Sequence, residues 1–340
     1  MPSSSKLRAA VVGLAGIGRT HVNRLQEHPE ADLVAVCDLV PEVRAEMAQR
    51  AGVPGYADLS SLLEAVEADA VFLCTPPKSH RPLTELAAER GVHVFCEKPM
   101  ASTVADCQAM IDTCARHGVT LMIGHKKRYF SAVRRLKELL AGELGPADFL
   151  LARYPHPGRT EKEWFWAEED GGGPLLENAV HEADLLRWLG GEVEHVWAEG
   201  STAYFPHRAP QFNCAAIVLR FQSGAIGTLG AGMVGLPALS LEDIFVTTQR
   251  GVAEVSGQFD HPDTLRYAFR DRPNEVHTET FPGEDAFRLE IDHFFHCLRT
   301  GEEPLTSGYE GLKAVELCRA WKLAAEQEEV VGLDPERSER

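Results

Sequence analysis

The chain has 340 residues, of which 44% are hydrophobic and 25% are charged, as in an ordinary soluble globular protein. Its 51 acidic residues outnumber its 34 basic ones, and the formal charge of −17 argues against nucleic acid or an anionic membrane as partner. We expect no secretory signal, because glycines interrupt the N-terminal apolar run. The 8 cysteines form no C-x-x-C pair, which favours reduced thiols in a cytoplasmic protein and no metal site.

Apolar runs and segments of helical periodicity alternate over the first 124 residues. The runs that predict strands are 7–13, 33–37, 70–74, 92–96 and 119–124. The segments that predict helices are 16–27, 41–50, 58–66, 79–90 and 103–117. This alternation is typical of parallel βαβ units with right-handed crossovers. It predicts an α/β fold with a doubly wound parallel sheet in this region.

The turn after the first predicted strand reads GLAGIGRTH. A dinucleotide-binding loop has the pattern G-x-G-x-x-G between a strand and a helix. Gly13 and Gly18 fill its first and third positions, while Ala15 stands at the second with Gly16 beside it. The methyl group of Ala15 is compatible with a pyrophosphate contact if the φ angle of that residue is negative. The residues expected to bind the pyrophosphate are Gly13, Ala15, Gly16, Ile17 and Gly18.

An acidic residue follows the second predicted strand. Asp38 comes 38 − 18 = 20 residues after Gly18, the spacing at which a carboxylate typically binds the adenosine ribose. The next three residues include no arginine, so the 2′-phosphate of NADP would meet negative charge. The sequence therefore predicts NAD rather than NADP as the cofactor.

Polar residues also follow the third, fourth and fifth predicted strands, in the stretches CTPPKSH, CEKP and GHKKRY. Ligands of open parallel sheets bind beyond the carboxyl ends of the strands, so we expect these tips to share one edge. For CTPPKSH, the alternative to ligand binding is a stiff loop with a helix cap at Ser79. For CEKP, the alternative is an ion pair between Glu97 and Lys98, although adjacent strand residues point to opposite faces.

The pattern changes after residue 124. A helix is predicted over 131–145, followed by an alternating strand over 147–154. Alternating strands with glycine turns continue from 193 to about 255, and amphipathic helices follow near the C-terminus, at 287–299 and 311–327. This predicts an antiparallel or mixed sheet with helices in the second half of the chain.

The stretch GGGPLLENAVHEADLLRWL predicts one helix beginning at Pro174. Glu177, His181 and Asp184 would lie on or near one stripe of that helix. A carboxylate can orient an imidazole, which then exchanges a proton near neutral pH. Core packing of the leucines in the same helix is the simpler interpretation, and it is compatible with a site on the polar side.

Together, GLAGIGRTH, VCD, CTPPKSH, CEKP and IGHKKRY resemble the Gfo/Idh/MocA family of oxidoreductases, named after glucose-fructose oxidoreductase, inositol dehydrogenase and rhizopine catabolism. The resemblance runs over essentially the whole chain. It implies a Rossmann domain over 1–124 and a substrate-binding and oligomerisation α+β domain over 125–340. The second domain would contain a large open, mostly antiparallel sheet with helices on one face. Its bare face would need a partner chain, so we expect a homodimer or homotetramer.

The resemblance also implies roles for individual residues. Lys98 would contact nicotinamide and substrate, while His181 would be the acid–base catalyst, assisted by Glu177 in place of the usual Asp. Further cofactor contacts would come from Thr75, Pro76, His80 and Glu97. Candidates for substrate contact, with packing as the alternative, are His125, Arg128, Arg153, Trp164 and Trp166.

The implied activity is hydride transfer between NAD and a secondary hydroxyl or ketone of a sugar, cyclitol or related polyol. His181 would remove the hydroxyl proton, and Lys98 would stabilise the developing alkoxide. One alternative is an NAD-assisted glycosidase, a hydrolase that oxidises its substrate only transiently. Another is a sensor that binds NAD without catalysis, against which the presence of both Lys98 and His181 argues.

Overall fold

The computed structural model describes residues 6–158, 162–236, 238 and 241–333. The expectation of no secretory signal involves residues 1–5, which lie outside the described residues. The chain forms two compact units, the first from Met1–Lys126 and Asp285–Leu312, the second from Lys127–Glu284 and Lys313–Arg340. The predicted second domain included 285–312, whereas the structure places this segment in the first unit. The assignment of one function to each domain stays a prediction.

Strands and helices alternate in the first 123 residues. The strands are β1 (Leu7–Val12), β2 (Ala31–Cys37), β3 (Gly55–Tyr56), β4 (Ala70–Leu73), β5 (His93–Cys96) and β6 (Leu121–Ile123). The helices are α1 (Ile17–Glu27), α2 (Pro41–Ala51), α3 (Leu59–Ala65), α4 (His80–Glu89) and α5 (Val104–His117). Every strand and helix predicted here is present. The unpredicted strand β3 has two residues, too few to produce a hydrophobic pattern.

The six strands form a parallel sheet in the order β3-β2-β1-β4-β5-β6. The predicted doubly wound sheet is therefore confirmed. In the central strands, β1 is buried from Ala9 to Val12 and β4 over its whole length, as parallel strands between helices require. The strand order reverses between β1 and β4, and ligands of such sheets bind at this switch point.

The second half of the chain contains six helices and nine strands among the described residues. The helices are α6 (Ser131–Ala141), α7 (Glu163–Trp166), α8 (Pro174–Glu177), α9 (Val180–Gly190), α10 (Ala286–Thr300) and α11 (Gly308–Gln327). The strands are β7 (Ala147–Pro155), β8 (Val193–Ser201), β9 (Cys214–Phe221), β10 (Ile226–Gly232), β11 (Leu241–Thr248), β12 (Gly251–Gln258), β13 (His261–Phe269), β14 (His277–Thr280) and β15 (Val331–Gly332). None of the helices in the described ranges is long and apolar enough to cross a bilayer.

Helix α10 belongs to the first unit because its aromatic residues pack against the parallel sheet. The ring of Phe294 lies 5.7 Å from that of Phe72 on β4 and 5.7 Å from that of Phe95 on β5. All three side chains are completely buried. The helical periodicity of this segment was visible in the sequence, but the sheet against which it packs was not.

The strands of the second unit form one sheet in the order β14-β13-β12-β11-β7-β10-β9-β8-β15. All neighbours are antiparallel except β7 and β10, which run parallel. The predicted large, mostly antiparallel sheet is confirmed. Burial alternates along the central strands, so that Ala152 and Tyr154 are buried while Leu151 and Arg153 are exposed. One face of the sheet therefore lies in the core of the unit.

Candidate active site

The loop after β1 has the close packing of a dinucleotide-binding turn. Gly13 has a φ of +87°, and a Cβ atom at this position would lie 2.6 Å from the carbonyl oxygen of Cys74. A Cβ atom at Gly18 would lie 1.8 Å from the carbonyl oxygen of Gly13. Gly16 has a φ of +54° and open space around it. The φ angle of Ala15 is not positive. Its methyl group is therefore compatible with the predicted pyrophosphate contact. Helix α1 begins directly after this loop, and helix N-termini favour anions such as pyrophosphate.

Asp38 is fixed at the end of β2 by two backbone hydrogen bonds. Its Oδ2 atom accepts the N–H of Leu14 and its Oδ1 atom accepts the N–H of Val40, both at 2.8 Å. The guanidinium of Arg44 on α2 donates to the Asp38 carbonyl oxygen at 2.8 Å. Sequence reasoning missed this cation because it considered only the residues immediately after Asp38. The carboxylate is thus pre-oriented beside the glycine loop.

A cavity of about 390 Å³ lies at the tips of β1, β2 and β4 in the first unit. Its wall includes Gly13, Ala15, Asp38, Thr75 and Pro76 from the predicted cofactor set. The remaining wall is mostly apolar and includes side chains of α3 and α4. A volume of this size and an apolar wall with a few polar groups suit part of a dinucleotide. The glycine loop and this cavity therefore fit the predicted cofactor.

His80 links the ends of β4 and β5. Its Nε2 atom lies 2.7 Å from the Thr75 carbonyl oxygen, and its Nδ1 atom lies 3.1 Å from those of Pro99 and Met100. Burial lowers the pKa of His80, although these carbonyl groups act in the opposite direction. The side chain is completely buried, so its predicted part in cofactor binding would be to hold the turn at Thr75.

Ser79 lies at the N-cap position of α4, where the alternative interpretation of this stretch placed a helix cap. Its hydroxyl makes no capping hydrogen bond to α4, and instead lies 2.7 Å from Thr75 Oγ1 and from the Pro76 carbonyl oxygen. The side chain therefore stabilises the preceding turn, which carries two predicted cofactor contacts.

Glu97, at the end of β5, is buried and makes two specific hydrogen bonds. Its Oε1 atom lies 2.7 Å from His21 Nε2, and its Oε2 atom accepts the backbone N–H of Lys98 at 3.2 Å. Burial acts to raise the pKa of Glu97, but the His21 hydrogen bond and the charges of His21, Lys98 and Lys126 outweigh it and lower the pKa. The Lys98 side chain itself is partly exposed.

Glu97 also belongs to a group of three buried side chains with metal-ligating atoms. One such atom from each of His21, Glu97 and Glu290 lies within 4.8 Å of the others. The distance of 2.7 Å between the imidazole and the Glu97 carboxylate is that of a direct hydrogen bond. We therefore interpret His21 and Glu97 as a hydrogen-bonded pair with the Glu290 carboxylate nearby, rather than as a metal site.

In the second unit, the prediction of one helix from Pro174 through Asp184 is wrong. Helix α8 ends at Glu177. The next helix begins after Ala179, whose carbonyl oxygen accepts hydrogen bonds from the N–H groups of Glu182 and Ala183. The intervening Asn178 is a poor residue for a helix interior, because its amide competes for backbone hydrogen bonds. Glu177 and His181 are therefore on different helices. His181, in the first turn of α9, is 5% exposed, while Glu177 is partly exposed.

Asp184, the third residue of the predicted stripe, binds Arg128. The guanidinium donates from Nε at 2.8 Å and from Nη2 at 2.6 Å to the two carboxylate oxygens. Both side chains are buried, and the guanidinium also lies 5.2 Å from the centre of the Trp188 ring. This bidentate pair anchors α9, the helix that carries His181. A substrate contact by Arg128 stays a prediction.

A second buried ion pair involves Lys127. Its Nζ atom lies 2.5 Å from Glu182 Oε1 on α9, 2.7 Å from Glu242 Oε1 on β11 and 4.2 Å from the centre of the Tyr154 ring. Burial acts to lower the pKa of Lys127, but the two carboxylates outweigh it and raise the pKa. Burial is the largest influence on the pKa of Glu182 and raises it. The neighbouring Glu242 raises this pKa further and Lys127 lowers it, and the result is a pKa of about 8.

The other candidates for substrate contact lie in different surroundings. Trp164 lines a cavity of about 200 Å³ in the second unit, together with His156 and Asn178. Trp166 packs in a buried cluster of aromatic residues. Arg153, on the exposed side of β7, donates from Nε to Asp243 at 2.8 and 3.0 Å, and His125 is completely buried in the first unit. Trp164 therefore has the surroundings best suited to a ligand contact, and all four assignments stay predictions.

Two family profiles match the chain. The profile described as "Oxidoreductase family, NAD-binding Rossmann fold" matches residues 7–125, and the "GFO/IDH/MocA C-terminal domain" matches residues 133–251. The chain belongs to the Gfo/Idh/MocA family of oxidoreductases. The resemblance inferred from the sequence motifs is confirmed, and the glycine loop with Asp38 lies within the NAD-binding region of this family.

Relatives of this Gfo/Idh/MocA chain align along nearly its whole length. It is 29% identical to the myo-inositol 2-dehydrogenase of Thermotoga maritima, over 96% of this chain and 99% of that protein. The aldose-aldose oxidoreductase of Caulobacter crescentus, solved with glycerol, is 28% identical with a TM-score of 0.87, covering 96% and 100% of the two chains. The WlbA dehydrogenase of Bordetella pertussis, solved with NADH and UDP-GlcNAcA, is 27% identical with a TM-score of 0.83, covering 97% and 99%.

Proposed function

We propose that this protein is an NAD-dependent oxidoreductase acting on a secondary hydroxyl or ketone of a sugar, cyclitol or related polyol. The observation that carries the proposal is the arrangement of one sheet edge. The glycine loop follows β1, Asp38 follows β2 and Lys98 follows β5, and all three strands are parallel. Their carboxyl ends therefore meet at the edge where such sheets bind ligands. The similarity to sugar and inositol dehydrogenases supports the same substrate class.

The first unit would hold the cofactor. The loop from Gly13 to Gly18 would accept the pyrophosphate, and Asp38 would accept hydrogen bonds from the adenosine ribose. The Asp38 carboxylate would disfavour a 2′-phosphate, which is why we propose NAD rather than NADP. When bound, NAD supplies the nicotinamide carbon that accepts or donates the hydride.

The acid–base chemistry would depend on His181 and Lys98. A ring nitrogen of His181 would accept the proton of the reacting hydroxyl, while Lys98 Nζ would donate a hydrogen bond to the same oxygen and stabilise its negative charge. The proposal requires both groups to reach one substrate oxygen. Glu177 would assist His181, although the break after α8 means that it does so without the geometry of a continuous helix.

The wall of the smaller cavity supports a polyol substrate. Trp164 offers an aromatic face, and His156 and Asn178 offer polar groups beside it. Sugars and cyclitols present apolar C–H faces alternating with hydroxyl groups, which suits a wall of this composition. We therefore propose that this cavity in the second unit contacts the substrate.

The test is a screen of sugars, cyclitols and their keto forms with NAD and NADH, followed by absorbance of the reduced nicotinamide. We expect at least one polyol to reduce NAD, with NADP a poorer cofactor. Release of an aglycone from glycosides without net NADH formation would indicate the glycosidase. NADH binding with neither reaction would indicate the sensor.

We also propose that the exposed face of the large sheet binds a second copy of the chain. Cross-strand pairing joins Trp197, Val218, Thr228, Leu151 and Phe245 into one row across five neighbouring strands. Trp197, Val218 and Leu151 are each about two-fifths exposed, so that the row forms an apolar stripe. Sedimentation should show a dimer or tetramer, and a monomer at micromolar concentration would contradict the proposal.

A further inference from the structure

His21 lies in the second turn of α1, and its imidazole is completely buried. Three aromatic rings surround it: those of Phe72, Phe95 and Phe287, whose centres lie 5.5, 5.2 and 5.8 Å from the imidazole. Burying a polar ring among aromatic side chains is unfavourable unless its polar atoms find partners. The hydrogen-bond partner that the structure gives is the carboxylate of Glu97, 2.7 Å from Nε2. The aromatic rings thus hold the imidazole in one orientation.

The two oxygens of the Glu97 carboxylate have different partners. Oε1 is bound to His21, and Oε2 accepts the backbone N–H of Lys98. Because both oxygens belong to one rigid planar group, the hydrogen bond that holds Oε1 restricts where Oε2 can lie relative to that N–H. The orientation of the imidazole is therefore transmitted through one carboxylate to the peptide group of Lys98.

The far side of the carboxylate is closed by Gly124, which follows β6. A Cβ atom at this position would lie 3.2 Å from Glu97 Oε2 and 3.3 Å from Oε1, closer than ordinary van der Waals contact. Because hydrogen bonds hold both oxygens, the carboxylate could not move away without lengthening one of them. The glycine at position 124 therefore leaves room for the Glu97 carboxylate where it lies, and a larger residue would crowd it.

We propose that His21 is a positioning residue, which acts through Glu97 to hold the backbone of Lys98 and thereby aim its ammonium group at the reacting oxygen. This inference rests on the proposed function, in which Lys98 contacts the substrate. His21 itself does not touch the substrate. It belongs to the glycine-loop motif in the sequence, but its contacts assign it to the end of β5.

The main test compares His21→Phe with His21→Gln. Phenylalanine keeps the aromatic packing and removes Nε2, whereas glutamine can place an amide N–H near the position of Nε2. We expect His21→Phe to lower kcat about 10- to 100-fold, because displacements near 1 Å can cost about 100-fold. The dissociation constant of NADH should change less than about threefold, and the primary deuterium isotope effect on kcat should rise as hydride transfer becomes slower. His21→Gln should recover most of the lost rate.

His28→Phe is the matched control. His28 is also a buried imidazole, lies at the other end of α1, packs 5.0 Å from the Phe295 ring and binds Asp292 at 2.8 Å. Its replacement should lower the melting temperature without the isotope effect or the selective loss of kcat. Equal effects of the two replacements on kcat would overturn the proposal, because His21 would then act only on stability. Gly124→Ala, which crowds Glu97 without removing a charge, should change kcat in the same direction as His21→Phe.

A measurement without substrate separates this inference from the proposed function. Reductive methylation with ¹³C-formaldehyde labels accessible lysines, and the Lys98 resonance is assigned by its absence in Lys98→Arg. We expect His21→Phe to shift this resonance and leave those of the second unit in place. If no polyol is oxidised but the shift occurs, the proposed function fails and the positioning role stands. An unchanged resonance, or a stoichiometric divalent metal in the purified protein, would overturn the positioning role.

Discussion

Two lysines, one in each unit, show how differently the same side chain can be used. Lys98 follows β5 at the ligand-binding edge of the parallel sheet and is partly exposed. Lys127 follows β6 in the chain, but it is completely buried between Glu182 and Glu242. In the sequence, both come just after apolar strands, in the stretches CEKP and GHKKRY. Burial and partners, rather than position after a strand, therefore separate a candidate catalytic lysine from a structural one.

The largest expected effect comes from Lys98→Ala. We expect kcat to fall about 10²- to 10³-fold, as when one donor to a developing oxyanion is removed. The NAD dissociation constant and the melting temperature should stay nearly unchanged, because the side chain is partly exposed. Steady-state kinetics measure kcat, cofactor titrations measure the dissociation constant, and thermal denaturation measures the melting temperature. A loss of NAD affinity equal to the loss of kcat would mean that Lys98 acts mainly in cofactor binding.

Lys127→Met should have the opposite profile. It leaves Glu182 and Glu242 buried without their cation, and breaking a buried ion pair costs about 3–5 kcal/mol of the free energy of unfolding. Urea denaturation measures this loss. The triple variant Lys127→Met, Glu182→Gln, Glu242→Gln replaces both buried carboxyl groups by neutral amides and should recover much of the stability. Full stability with lost activity in Lys127→Met would remove the distinction between the two lysines.

Asp38→Asn tests the cofactor side of the ligand-binding edge. The amide keeps one acceptor for the N–H groups of Leu14 and Val40 but removes the negative charge. We expect NADH affinity to fall about tenfold, since hydrogen bonds to charged groups contribute about 1.5–3 kcal/mol. The ratio of NADPH to NADH affinity should rise. Fluorescence titrations with both cofactors decide this, and an unchanged ratio would mean that Asp38 does not select NAD.

The most gradual effect, spread over several pH units, concerns the pH dependence of stability. Glu182 has a pKa of about 8 in the folded protein against an ordinary 4.5. Between these values the folded protein holds a proton that the unfolded chain has lost, so the free energy of unfolding should fall as pH rises. The slope is at most about 1.4 kcal/mol per pH unit. Urea denaturation from pH 5 to 8 should show this slope, and Glu182→Gln should flatten it. Equal slopes in both proteins would show that other groups cause it.

The fold and the ligand-binding edge were predictable because both depend on local patterns. Alternating apolar runs and helical segments predicted the parallel sheet, and the rule that ligands bind at strand ends brought Gly13, Asp38 and Lys98 to one edge. The expected continuous helix through Glu177, His181 and Asp184 is wrong because the chain leaves the helical conformation at Asn178 and Ala179. No periodicity in the flanking leucines marks that break.

The buried polar pairs were not predictable from one sequence. Lys127 meets residues 55 and 115 positions away, and His21 meets one 76 positions away. Nothing in local spacing connects such residues, since tertiary folding alone brings them together. Their only local signal is a charged or imidazole group within an otherwise apolar segment, which does not name the partner.

The parallel pairing of β7 with β10 has a consequence for how this protein can diversify. Parallel neighbours cannot be joined by a hairpin, so the chain from 156 to 225 must form a crossover. That stretch contains Trp164, Glu177 and His181, together with the strands β8 and β9 of the same sheet. Under the proposed function, its exchange between related enzymes would move the candidate substrate contacts and two strands of the sheet as one cassette, without changing the glycine loop or Asp38.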